Sequence, residues 1–102
     1  MADDRLAFYA ALVRTFVRGE VPTSAFEREY LAAFKTEPAD LPQPLFDVLE
    51  QLFTDVDAYS PDCAPGQETA FVISEERLRQ QAAAALASLE QLLVTQRSHR
   101  RA

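Results

Sequence analysis

The chain has 102 residues, of which 48% are hydrophobic and 25% charged, and its formal net charge is −6 at pH 7. This length corresponds to one domain with a single modest core, and the composition excludes an intrinsically disordered chain. The negative charge argues against binding to nucleic acid or to an anionic membrane, and it favours a basic partner.

The acidic charge is concentrated in the middle of the sequence. No lysine or arginine occurs from Thr36 to Glu76, so all ten basic residues lie outside this stretch. The acids within it are Glu37, Asp40, Asp47, Glu50, Asp55, Asp57, Asp62, Glu68, Glu75 and Glu76. A run of this kind is most often a solvated face, but it also suits a surface that attracts cations.

The first predicted helix runs from about Asp4 to Arg18. Leu6, Tyr9 and Val13 recur at helix-face spacing. Gly19 then follows the last residue of the pattern, where a left-handed C-terminal stop is common.

The second predicted helix begins at Ser24. A serine followed three residues later by Glu27 forms the pattern of a capping box. Tyr30 and Phe34 continue the inward face, and Pro38 closes the helix.

The third predicted helix begins at position 43 or 44, after a proline-rich linker, and runs to about Asp57. Its apolar side chains fall in one arc at about 100° per residue. They are Leu45, Phe46, Val48, Leu49, Leu52, Phe53 and Val56. Asp47, Glu50 and Asp57 fall together on the opposite side, and Asp55 lies at the edge of the apolar arc.

A long irregular connection separates the third helix from the fourth. Residues 58–72 contain two prolines and a glycine, and a loop of this length is usually functional or mobile. Residues 70–73 are the one candidate for extended structure. The last predicted helix opens at Ser74, with Ile73 and Leu78 at the spacing of a hydrophobic staple.

Four amphipathic helices must bury their apolar faces against one another. We therefore expect an all-α fold, an antiparallel four-helix bundle, formed by one domain over residues 1–95 and followed by a flexible basic tail over 96–102. The lone Cys63, the absence of a signal-peptide pattern and the absence of a long apolar run predict a soluble, cytoplasmic protein without an internal disulfide. We expect the free protein to be a monomer or a weak dimer.

Spacing argues against a metal site and against catalysis. A calcium loop starting at Asp55 would place Tyr59, Ser60 and Gly66 at its fifth, sixth and twelfth positions, where an oxygen ligand, a glycine and a glutamate are needed. The one histidine, His99, lies in the basic tail, and the chain has no glycine-rich phosphate loop. We therefore expect no cofactor, no metal and no enzymatic activity.

Tyr59 stands between Asp57 and Asp62 in the sequence. An aromatic residue among carboxylates is a common composition at protein interfaces. The alternative is that Tyr59 packs on the core with its hydroxyl in water, and the sequence favours neither.

Three blocks of the sequence resemble the colicin D immunity protein family, the bacterial self-protective, colicin-like immunity proteins. The central block is Leu52 to Asp62, with sequence LFTDVDAYSPD, and the others are 73–79 and 16–30. The resemblance implies a helical bundle that covers the basic active site of a bacteriocin nuclease of the tRNase type. It also implies that the family's acidic motif falls on Asp55, Asp57 and Asp62.

The residues and the resemblance together predict a stoichiometric inhibitor whose partner is the basic nuclease domain of a cognate toxin. The predicted contact residues are Asp47, Glu50, Asp55, Asp57, Tyr59 and Asp62. One alternative is an acidic adaptor for a basic host protein. Another is a small hydrolase with a buried carboxylate pair. A third gives Asp55 or Asp57 a structural role in which the side chain caps a loop amide and does not face a partner.

Overall fold

The computed structural model of the chain describes residues 4–37, 40–69 and 71–101, with side chains for 5–96 of these. It contains four helices, which are α1 (Asp4–Val17), α2 (Thr23–Lys35), α3 (Gln43–Ala58) and α4 (Glu75–Arg101). All four predicted helices are therefore confirmed. Outside them, the described residues form turns and a single isolated β-bridge between Tyr59 and Ile73.

The helices alternate in direction, as the side-chain pairs between them show. Tyr9 meets Tyr30 and Phe16 meets Phe26, which sets α1 antiparallel to α2. Phe34 lies against Phe46 and Phe53, and each helix packs on its neighbours in the chain, with α4 also packing on α1. The predicted antiparallel four-helix bundle is confirmed.

The core is a set of apolar side chains with aromatic rings at its centre. Phe16 and Phe26 stack with their ring centroids 4.3 Å apart and their planes at 5°. Tyr30 is fully buried, and its hydroxyl donates to the carbonyl oxygen of Leu49 at 2.7 Å. A buried hydroxyl without a partner is costly, so this bond makes a tyrosine acceptable at a fully buried core position.

Two of the predicted helix ends have the expected geometry. Gly19 adopts a φ of 75°, its amide donates to the carbonyl of Phe16, and the amide of Glu20 donates to the carbonyl of Thr15. This pair of bonds is the Schellman motif, which satisfies the last carbonyls of α1. At α4, the Ser74 hydroxyl accepts from the amide of Arg77 at 3.1 Å and so caps the helix.

The predicted cap of α2 is wrong. The helix begins at Thr23, one residue before Ser24, and Pro22 occupies the cap position without any side-chain hydrogen bond. Pro22 has an extended backbone with φ −64° and ψ 150°, and the fixed φ of proline suits the entry to a helix. Proline geometry therefore starts α2 in place of the serine and glutamate pattern. Pro38, predicted to close α2, lies outside the described residues, and the helix ends at Lys35.

Helix α4 is much longer than its partners. Its 27 residues extend to Arg101, which corresponds to about 40 Å at 1.5 Å per residue. The basic side chains of the predicted tail lie outside the described side chains, and the flexibility of residues 96–102 stays a prediction. Within the described part of the chain, no helix is long and apolar enough to cross a membrane.

A polar cluster ties the start of α1 to the end of α2. The hydroxyl of the fully buried Tyr9 donates to a carboxylate oxygen of Glu37 at 2.7 Å, and the other oxygen lies 3.6 Å from the Arg5 guanidinium. Burial and the bonded carboxylate raise the pKa of Tyr9 above its usual value. Two acids of the base-free stretch are engaged here, since Arg5 also bonds Asp40 at 3.0 Å.

Replacing Tyr9 with phenylalanine tests this cluster. Tyr9→Phe removes a hydrogen bond to a charged acceptor, so we expect the free energy of unfolding to fall by about 1.5–3 kcal/mol. Urea denaturation measures the change. Tyr59→Phe is the matched control, because the Tyr59 hydroxyl has no hydrogen-bond partner among the described residues; an equal loss in both variants would contradict the assignment.

Candidate partner-binding surface

The antiparallel order brings the ends of α1 and α3 and the starts of α2 and α4 together at one end of the bundle. We call this region the acidic end and define it as the last turn of α3 (residues 55–58), the loop 59–73 and the first turn of α4 (residues 74–77). Three of the six predicted contact residues, Asp57, Tyr59 and Asp62, lie on its surface, and Asp55 lies at its edge. Asp47 and Glu50 extend from it along α3.

The four predicted acids of α3 do not share one face. Asp47, Glu50 and Asp57 are exposed, as predicted. Asp55 is partly buried and lies about 160° around the helix from Asp57. The acids of α3 therefore form an exposed stripe of three, with Asp55 turned toward α4.

Asp55 is engaged within the molecule. Its carboxylate accepts a long hydrogen bond of 3.4 Å from the Gln81 side-chain amide of α4. Burial raises the pKa of Asp55 above its usual value, while the bonds from Gln81 and Gln51 and the nearby Arg77 act in the opposite direction. This contact links α3 to α4 and differs from the loop cap considered from the sequence.

Tyr59 is less exposed than its acidic neighbours suggest. It follows the last residue of α3, is half-buried and packs against the core. Burial raises its pKa, and the carboxylates of Glu75, Glu27 and Asp62 raise it further. The fold therefore brings Glu27 and Glu75, from the starts of α2 and α4, into the same acidic environment.

Sequence reasoning did not assign Glu27 or Glu75 to this surface. The sequence pattern explains Glu27 locally, as part of a capping box, and shows Glu75 only as one acid of the base-free stretch. The signal that could have found them is topological, because an antiparallel bundle places the starts of α2 and α4 beside the end of α3.

The loop of the acidic end is held closed at its base. The amide of Ile73 donates to the carbonyl of Ala58 at 3.0 Å, and the amide of Ser60 donates to the carbonyl of Ile73 at 3.1 Å. Glu68 accepts from the amide of Gly66 at 2.9 Å and from the buried Ser74 hydroxyl. Compact loops with adjoining ends are frequently functional. Extended structure is confined to the single bridge at Ile73, and Ala70 lies outside the described residues.

Folding supplies bases that the linear stretch lacks. Arg79 from α4 lies beside Tyr59, but it is engaged elsewhere: its guanidinium donates to the Phe16 carbonyl at 2.8 Å, covers the Phe16 ring at 4.6 Å and pairs with Glu75 at 3.4 Å. Arg77 lies near Asp55 and Glu68. In the folded protein, Arg77 and Arg79 therefore offset part of the negative charge of the base-free stretch.

Some acids of the stretch remain uncompensated. Asp47 accepts a 2.7 Å hydrogen bond from the neutral Gln43 side chain. Of the acids in this base-free stretch that the structure describes, four exposed carboxylates have neither an ion pair nor a hydrogen bond. They are Glu50, Asp57, Asp62 and Glu76.

Comparison with known families decides what kind of protein carries this surface. The family model for bacterial self-protective colicin-like immunity matches residues 5–89, which is most of the chain. The chain belongs to this family. The predicted resemblance is therefore confirmed, and membership implies binding to a cognate toxin. No curated protein and no solved structure gives a match.

The end of α3 in this immunity protein is electrostatically unfavourable. The C-terminus of a helix carries partial negative charge and is stabilised by basic residues. The last turn of α3 contains no basic residue, while Asp55 and Asp57 lie in or next to it. Two negative charges at a negative helix end are unfavourable for the stability of α3.

The groove between α3 and α4 gives no support to the hydrolase alternative for this immunity protein. It has a volume of about 280 Å³ and is lined in part by Asp47 and Asp55. Asp55 is partly buried and Asp47 is exposed, so this groove does not hold the buried pair of carboxylates that the hydrolase alternative requires. Among the described residues, no group of three or more His, Cys, Asp or Glu side chains is placed to hold a metal ion.

The raised pKa of Asp55 predicts a pH-dependent stability. The folded state disfavours the ionised carboxylate, so Asp55 destabilises the fold above the unfolded-state pKa of about 4 and ceases to do so below it. Asp55→Asn keeps an acceptor for Gln81, and we expect it to raise the free energy of unfolding by about 0.5 kcal/mol at pH 7, because the site is only partly buried.

Urea denaturation at pH 7 and near pH 3.5 measures this difference. The gain from Asp55→Asn should shrink at the lower pH, where the parent carboxyl is largely protonated. Glu50→Gln is the matched control, because Glu50 is exposed on the same helix and lies outside its last turn. A loss of stability on Asp55→Asn at pH 7 would show that the charge of Asp55 stabilises the fold.

Proposed function

We propose that this immunity protein binds the nuclease domain of a colicin-like bacteriocin, of the tRNase type, and inhibits it by presenting carboxylates where the RNA phosphates would lie. The observation that carries the proposal is the set of exposed, unpaired carboxylates at and beside the acidic end, with Asp57 and Asp62 at its centre. A nuclease that binds RNA needs lysines and arginines in its active site. These would supply the cations that the end of α3 lacks.

The proposed contact surface is Asp47, Glu50, Asp55, Asp57, Tyr59 and Asp62. Asp57 and Asp62 are the principal residues, because both are exposed and Tyr59 separates them on a clamped backbone. Glu50 and Asp47 would lie at the rim of the interface with the toxin domain. Asp55 would contribute its negative charge at the edge of the surface and not a direct bond to the toxin, since its carboxylate already accepts a hydrogen bond from Gln81.

The protein would act as a stoichiometric inhibitor in the cytoplasm of the producing cell. Fixed carboxylates on a rigid helix end require little reorganisation on binding, which lowers the cost of association. Complementary charge also steers encounter, with rates up to about 10⁸–10⁹ M⁻¹s⁻¹ at low salt in the best cases. An acidic adaptor for a basic host protein would use the same surface, but family membership favours a toxin.

Charge reversal at the acidic end tests the proposal. We expect Asp57→Lys and Asp62→Lys each to weaken binding to the toxin's cytotoxic domain by at least about 30-fold, because each replaces an attraction with a repulsion. The probe is the purified cytotoxic domain of the cognate toxin, whose gene we expect directly upstream of this chain's gene. Biolayer interferometry measures the affinity, and survival of cells expressing the toxin measures protection.

Glu29→Lys is the matched control for these variants. Glu29 is exposed on α2, about 140° around that helix from Phe34, which faces α3. It undergoes the same charge change away from the acidic end, so we expect its binding to stay near that of the parent. Normal helical circular dichroism with unimpaired protection in both Asp variants would refute the proposal.

Salt dependence gives a second test of the same surface. The association rate constant should fall by at least about tenfold between about 0.05 M and 0.5 M NaCl, while the dissociation rate constant changes less. Stopped-flow mixing with the toxin domain measures both. An association rate that does not depend on salt would contradict electrostatic recognition.

A further inference from the structure

The loop of the acidic end exposes an aromatic side chain that the proposed carboxylate surface does not use. Phe71 is 84% exposed, more than the half-exposed Phe8 and Val94. An exposed phenylalanine forgoes about 1.5–3 kcal/mol of burial that a core position would provide. Since single exposed apolar residues are common, the inference depends on how Phe71 is held and on what adjoins it.

The backbone of Phe71 is held by a compact turn. The Thr69 hydroxyl accepts from the amide of Phe71 at 3.1 Å and from the amide of Val72 at 3.2 Å, and the amide of Thr69 donates to the carbonyl of Val72 at 2.9 Å. One residue later the chain enters the bridge at Ile73. These bonds hold the amides of Phe71 and Val72 in place, while the ring of Phe71 makes no ring contact within the described residues.

The surroundings of this turn combine apolar and acidic groups. Val72, which is 37% exposed, lines a shallow hollow of about 290 Å³ together with Asp62 and Thr69. Phe71 is the chain neighbour of Val72, and Val72 lines the same hollow as Asp62. An exposed aromatic in such a region suits a partner surface with an apolar pocket and a basic rim. Asp62 therefore belongs both to the proposed carboxylate surface and to the hollow beside Val72.

We infer that Phe71 is the apolar anchor of the toxin-binding surface, inserting into a pocket of the toxin domain whose basic rim pairs with Asp62. The inference rests on the proposed function and adds a second kind of contact to it. The carboxylates accelerate encounter, and the buried ring holds the complex together. Pre-organisation by Thr69 reduces the ordering cost of placing the ring.

The two kinds of contact differ in kinetics, and this difference is the test. With the cytotoxic domain of the cognate toxin as the probe, Phe71→Ala should raise the dissociation rate constant at least about tenfold and leave the association rate and its salt dependence close to those of the parent. Phe71→Leu should recover part of the loss. Phe8→Ala, which removes a half-exposed ring from α1, is the matched control and should bind as the parent does.

The outcomes separate the inference from the proposed function. Parent-like dissociation of Phe71→Ala, alongside weakened binding of Asp62→Lys, would overturn the anchor and leave the carboxylate surface standing. Equal losses in Phe71→Ala and Phe8→Ala would also overturn the anchor. If the parent protein does not bind the domain, both fail. Thermal unfolding of Phe71→Ala should match that of the parent, because the ring makes little contact with the fold.

Discussion

Phe16 is the point at which three helices of this protein are fixed relative to one another. Its ring stacks on Phe26 of α2, and both its ring and its carbonyl oxygen receive the Arg79 guanidinium of α4. Stacking and cation–π contacts have preferred geometries, so they fix orientation as well as distance. This set of contacts around Phe16, which we call the Phe16 node, lies at the acidic end of the bundle. It therefore positions the starts of α2 and α4 around the end of α3.

The same node explains why the nearby carboxylates remain available. Arg79 is near enough to Tyr59 for its charge to lower the pKa of that phenol, but its guanidinium is engaged with Phe16 and Glu75. Asp57 and Asp62 are therefore left without an internal cation. An unfavourable helix end and an exposed phenylalanine occur in the same region, so the features that cost stability coincide with the features that suit binding.

Much of the architecture followed from sequence patterns. Apolar periodicity located all four helices, Gly19 marked a left-handed stop, and Ser74 marked a cap, because each of these depends on a few neighbouring residues. The start of α2 did not follow, since Ser24 and Glu27 fit a capping pattern while Pro22 provides the observed entry geometry. Two local signals for a helix start compete here, and the backbone conformation imposed by the rest of the fold decides between them.

The surface was less predictable than the fold. Helical angles correctly placed Asp47, Glu50 and Asp57 in solvent, but a charge count along the chain could not show that Arg77 and Arg79 return to the base-free region. Tyr59 and Phe71 illustrate the same limit. Both are aromatic residues beside α3 or its loop, and tertiary contacts half-bury the first while the second remains 84% exposed.

The length of α4 separates the two ends of the molecule. Its 27 residues begin at the acidic end and carry the chain about 40 Å away from it. A toxin domain docked at the acidic end would therefore leave the far end of α4 clear of the complex. A fluorescent reporter or surface anchor joined there would hold the protein with its binding end pointing outward, which is the orientation that kinetic work on the complex requires.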